Sequence, residues 1–266
     1  MDTQTINGVT LYYDPPEKDA ADQLAFAIQR SLDMIASTWQ LPVPDDCRVY
    51  LMVSWPRCVF LGAPATSQIL LALTLPLWYR EFKLRWLYAG GWSQRYGHRH
   101  VVGVKAPRLL ADTPQAMGES LFVEEDDLDH KYLSIVCHEL THACSANLDL
   151  PSWLNEGLAM VCVDRCLKKQ TVLSNTLELL KSEGDGTKTA DAINLKTQSR
   201  EEIILLYTRG YWLTRYLAEK HPETLEAPLR GNLPSKEIEP GIAKALDIPF
   251  DHFWEKVDPI LIKHFS

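Results

Sequence analysis

Two histidines four residues apart, with a glutamate beside the first, are the residues best placed to do chemistry: His138-Glu139-Leu140-Thr141-His142. On a helix, positions four apart share a face, so both imidazoles can grip a single ion. Glu139, rotated by about 100° from His138, can reach a water beside that ion without being a ligand. A zinc site built for hydrolysis takes three protein ligands and keeps a place for water, so a further donor must lie nearby. The segment Pro151-Ser152-Trp153-Leu154-Asn155-Glu156-Gly157-Leu158-Ala159 contains one. Glu156 falls just over one turn into a new helix, after a short loop able to fold that helix back, and Gly157 permits close helix approach. The expected ligands are therefore His138, His142 and Glu156, the expected cofactor is Zn2+, and the expected general base is Glu139.

The pairing of His-Glu-Leu-Thr-His with Trp-Leu-Asn-Glu-Gly-Leu-Ala resembles the gluzincin superfamily of zinc metallopeptidases, which includes thermolysin and aminopeptidase N. The resemblance implies the same roles for His138, Glu139, His142 and Glu156, and Asn155 matches the asparagine before the glutamate ligand. Tyr207-Thr208-Arg209-Gly210, followed by Tyr216-Leu217, is similar to the aminopeptidase segment that bears a catalytic tyrosine. This implies Tyr207 as the donor to the oxyanion, with Tyr211 one turn on as the reserve. Taken by spacing alone, Ile203, Leu206, Tyr207 and Tyr211 read equally as a buried stripe.

The pattern also departs from the family. The gap between His142 and Glu156 is shorter than in the large aminopeptidases. No Gly-x-Met-Glu-Asn segment holds a substrate amine; Met117-Gly118-Glu119-Ser120 is only a scrambled echo of it. An endopeptidase is thus expected rather than an exopeptidase. Met160 stands where thermolysin has an aspartate behind its ligands, so another acceptor must orient the histidine. The resemblance covers Val101 to Tyr216 and implies zinc-dependent cleavage of a peptide or protein substrate, with room for a regulatory protein partner. Two other readings remain: a non-catalytic zinc-binding interaction module, which has no need of Glu139, and a zinc hydrolase of a non-peptide amide or ester.

These residues need elements to position them. Strand candidates fall at 9–13, 48–53 and 101–104, and the apolar positions Ala21, Leu24, Ala25, Ile28, Leu32 and Ile35 mark one face of a helix from Glu17 to Trp39. A helix over 67–87 should break near Pro76 and lie in the core. With Trp78, Phe82, Trp86 and Leu87 following, the apolar run Ile69 to Tyr79 could instead form an interfacial or partner-binding patch. Acidic residues 124–127 precede a periodic run from Leu128 to Leu148, Ser152 reads as the next N-cap, and further helices fall at 201–220 and 249–264. Loops bearing Pro222, Gly231, Pro234, Pro240 and Gly241 link them. Together these describe one α+β domain with a sheet-bearing lobe over 1–127 and a helical lobe over 128–266, and the resemblance implies that it is a catalytic domain of reduced thermolysin-like (gluzincin) form. Val101 to Lys105 reads either as the cleft-lining edge strand of that family or as an ordinary sheet strand. Arg95, His98, Arg99 and His100 read as a solvated basic loop or an anion site.

Composition fits this frame. Apolar residues make up 46% and charged residues 23% of the 266, enough apolar side chain for a packed core. A net charge of -8 disfavours a nucleic-acid partner, whose phosphates need a basic surface. Residues 1–5 carry no basic stretch leading into an apolar core, so neither a signal peptide nor a transmembrane segment is expected and the location is cytoplasmic. The six cysteines lack a disulfide-like spacing and should be reduced and buried; Cys162 and Cys166, one turn apart, have no second pair to complete a metal site.

Overall fold

The computed structural model describes residues 1–110, 121–182 and 199–266. Their fold is α+β, as expected, around a five-stranded mixed sheet of order β1-β2-β3-β5-β4. By Cα packing the chain divides into two compact units, Met1–Ala116 with Glu125–Ala146, and Met117–Glu124 with Asn147–Ser266. The helix of His138 and His142 falls in the unit that holds the sheet.

In the first unit, β1 (Asp2–Ile6) and β2 (Val9–Tyr13) form an antiparallel hairpin. Its turn is Asn7-Gly8, with φ of 44° and 87°, the left-handed pair that a two-residue hairpin demands. No strand was expected over β1, because its polar, largely exposed residues show little apolar alternation. Helix α1 (Lys18–Trp39) buries the predicted face and leads to β3 (Asp46–Met52), which pairs in parallel with both β2 and β5 (Arg99–Lys105). Strand β4 (Gly91–Tyr96) closes the sheet, antiparallel to β5.

This order decides between two readings and corrects one expectation. Val101 to Lys105 lies inside the sheet as an ordinary strand, and the edge on its side belongs to β4. The basic residues are not a solvated loop but two paired strands and their turn. Arg95 donates to the carbonyl oxygens of Gly97 and Ala146, Arg99 meets Asp46 at 3.3 Å, and His100 is buried.

Between β3 and β4 run α2 (Trp55–Phe60) and α3 (Ala65–Tyr88). Helix α3 passes through Pro76 without a break. Proline removes one backbone bond per helix, and nearby the Thr74 hydroxyl donates to the Leu70 carbonyl at 2.8 Å and accepts from the Trp78 indole at 3.0 Å. Nor is α3 a core helix, because Ile69, Leu70, Leu73 and Leu77 are exposed. After the short α4 (Pro107–Leu110), α5 (Leu128–Ser145) packs on α1, β4 and β5.

The second unit is helical: α6 (Ser152–Leu167), the short α7 (Leu179–Ser182), α8 (Arg200–Lys220), α9 (Pro222–Leu229), α10 (Ser235–Ala245) and α11 (Phe253–Phe265). Helix α8 begins with a capping box between Ser199 and Glu202. The segment expected as loops holds α9 and α10, because Pro222 opens a helix at its first position, where the missing N–H costs nothing. Arg209 on α8 and Asp258 on α11 form a buried ion pair at 2.7 Å, with the guanidinium over the Trp254 ring at 5.1 Å. Cys47, Cys137, Cys144, Cys162 and Cys166 are buried free thiols, as expected; burial and nearby Asp46 push the Cys47 thiol up to about 12.

Candidate metal centre

Helix α5 starts at Asp127, whose carboxylate accepts from the backbone N–H groups of Asp129 and His130 at 2.9 and 3.2 Å. One side of the helix, with Val136, Cys137, Leu140, Thr141 and Cys144, is buried in the first unit. His138, Glu139 and His142 are half-buried on the other side. Burial of the apolar face thus sets the rotation of the helix and presents the chemical residues together.

On α6 the N-cap position is Pro151 rather than Ser152, and Ser152 is the first helical residue. Proline in extended backbone ends the preceding segment and starts the helix without a side-chain cap. Glu156 lies one turn in and is only 8% exposed. A carboxylate that deep needs countercharge or hydrogen-bond donors to offset the lost hydration.

The three expected ligands come together. His138 Nε2 and His142 Nε2 are 3.0 Å apart. One ligand atom from each of His138, His142 and Glu156 lies within 4.8 Å of the others. Ligands about 2.0–2.2 Å from a tetrahedral ion stand about 3.3–3.6 Å from one another, so small side-chain shifts would let the three donors share one small cation. Two imidazole nitrogens facing at 3.0 Å repel unless a proton or cation sits between them. Two imidazoles with one carboxylate is also the set that hydrolytic zinc sites use, leaving a place for water. Among the described residues no other trio of His, Cys, Asp or Glu meets the same spacing, and Cys162 with Cys166 remains a buried pair of thiols.

The two tyrosines separate. Tyr207 is half-buried on α8. Tyr211 is fully buried, and its hydroxyl donates to Asp164 Oδ2 at 2.5 Å and accepts from Arg215 at 3.0 Å. Burial, and then the Asp164 carboxylate, push its phenol far above the usual range. Tyr211 is therefore committed to the interior of the helical unit and withdrawn as reserve oxyanion donor. Asp164, held above the usual carboxylate range by burial, also accepts from the backbone N–H and hydroxyl of Thr171 at 2.7 and 2.6 Å.

Two glycines matter more than spacing suggested. Gly91, read as a turn residue, is the first residue of the edge strand and lies against Glu139: a Cβ there would come within 2.8 Å of Glu139 Cγ and of Ile135 Cγ2. The Gly90-Gly91 doublet before a strand was its only signal. Gly157 does allow a close helix approach, and the helix it admits is α8, at Gly210. Met160 is buried in α6, and the scrambled echo at 117–120 falls outside the described residues.

Compared with known proteins, the chain gives no match: no protein-family model, no curated protein and no solved structure is significantly similar to it.

Proposed function

We propose that this chain is a zinc-dependent hydrolase with a reduced thermolysin-like (gluzincin) core, a metallopeptidase that cleaves within peptide chains. The observation that carries the reading is the convergence of His138, His142 and Glu156, with Glu139 half-buried beside His138 on α5. Zinc held there would supply Lewis acidity, polarising a carbonyl and lowering the pKa of water towards about 7.

The rest falls to the chain's own residues. His138 and His142 would hold the metal through their imidazoles, and Glu156 would supply the anionic ligand. The Glu139 carboxylate takes a proton from the attacking water and returns it to the leaving amine, a task worth about 10² to 10⁴ in rate. The Tyr207 phenol donates to the oxygen on which negative charge develops. A peptide is favoured over a small amide or ester because β4 has no second strand partner among the described residues, and its first residue, Gly91, touches Glu139. An extended substrate backbone can add to such an edge.

The test pairs two substitutions with metal analysis and a diverse peptide library. Glu139→Gln should keep stoichiometric zinc and lose cleavage. His142→Ala should lose both. Chelation should abolish wild-type cleavage, and zinc should restore it. Full activity in Glu139→Gln, or unchanged metal content in His142→Ala, refutes the assignment.

A further inference from the structure

Helix α3 has two unlike sides. Phe82 and Trp86 pack against the buried cluster of Tyr50, Met52 and Val101, so the helix rests part of its length on the sheet. A helix in that position normally turns polar residues outward. Here the outward side is apolar: Ile69 and Leu70 are each 63% exposed, Leu73 75% and Leu77 86%. With Ala72 and Pro76, also exposed, they sweep about 160° of the circumference. A contiguous apolar surface of this kind requires a cover.

Charge and aromatic placement indicate which cover. Ile69 to Tyr79 carries no charge. Trp78 and Tyr79 end that run, and the sequence then turns cationic, with Arg80, Lys83 and Arg85 against the single acid Glu81. Helix α3 is therefore positive within a chain of net charge -8. Apolar residues, then aromatic rings, then cations is the sequence of environments met on leaving a bilayer: hydrocarbon, interface, anionic headgroups. The convex apolar arc is broader than the narrow stripe that a helix offers to a protein groove. The run is about 16 Å long against about 30 Å of hydrocarbon, and no helix among the described residues is long and apolar enough to cross a membrane.

We infer that α3 seats the protein on the surface of an anionic lipid bilayer, with Ile69, Leu70, Leu73 and Leu77 entering the acyl boundary and Arg80 and Lys83 meeting the headgroups. The acidic remainder of the chain is repelled from the same surface, which orients the molecule with α3 towards the lipid.

Flotation of the full chain with phosphatidylcholine vesicles, with and without phosphatidylserine, tests this. Wild type should float with the phosphatidylserine vesicles and be released by salt. Leu73→Glu/Leu77→Glu should weaken binding by about tenfold or more with an unchanged thermal melt, since both positions are largely exposed. Arg80→Glu/Lys83→Glu should weaken it comparably and leave little salt dependence. Wild type that stays with the lipid-free fraction, or binds neutral vesicles equally well, overturns the inference. So does a wild-type dimer that the leucine variant splits, because the apolar face would then be covered by a second copy.

Discussion

Gly157 and Gly210 meet where α6 and α8 cross, and neither has room for a side chain. A Cβ on Gly157 would come within 2.2 Å of the Gly210 carbonyl oxygen, and one on Gly210 within 2.2 Å of the Trp153 carbonyl oxygen. The obstacle in each case is backbone, which cannot swing aside. The crossing holds the helix of Tyr207 against the helix of Glu156.

Gly157→Ala and Gly210→Ala should therefore each destabilise the protein by about 1–3 kcal/mol or more, the usual cost of overpacking. Because both force the same two helices apart, the double variant should lose less than the sum of the singles. Urea denaturation measures this, and wild-type stability in either single variant would contradict the crossing.

Gly91→Ala tests the edge strand's contact with Glu139. A methyl group there must push on the Glu139 stem and on Ile135. Turnover should fall by up to about 10², as for a catalytic group displaced by about an ångström, while zinc content stays unchanged. Loss of metal together with activity would mean that the substitution disturbs α5 as a whole.

The tyrosines should part company by assay. Tyr207→Phe should lower turnover by about 10² to 10³ with stability and zinc retained. Tyr211→Phe should instead cost about 1–3 kcal/mol of stability, because buried Asp164 loses a donor, and leave turnover per folded molecule near wild type. The reverse pattern would restore Tyr211 as the oxyanion donor.

His100 should impose a pH dependence on stability. Burial, and then the Arg95 guanidinium paired with it across β4 and β5, hold its pKa below the ordinary histidine value, while Asp46 pulls the other way. As pH falls through about 6.5 the unfolded chain takes up a proton that the folded chain still refuses. Stability is thus full above that value and declines below it, until the lower folded pKa is passed. Melts compared between about pH 5.5 and about pH 7.5 should show a smaller difference for His100→Gln than for wild type; equal slopes would remove His100 as the cause.

Much of the fold is legible in local pattern. Helix α1 shows its buried face at three- and four-residue spacing, and Asp127 with the acids before it announces α5. The spacing of His138 and His142 specifies their shared face, because helical geometry alone fixes it. Other elements are poorly written. Strand β1 is too polar to show alternation, and Pro222 and Pro240 read as breakers although α9 starts at one and α10 contains the other.

What the sequence by itself determined is therefore local: that His138 and His142 share one face of α5 with Glu139 beside them, and that Glu156 follows on a new helix. Packing between distant segments decided the rest. That the Tyr211 hydroxyl is held in the interior depends on Asp164, 47 residues before it in the chain. Which strand forms the sheet edge depends on pairing order, and whether the apolar residues of α3 lie in a core or at a surface depends on what the sheet already covers. Hydrophobicity states only that a side chain must leave water; the tertiary structure alone supplies what it meets instead.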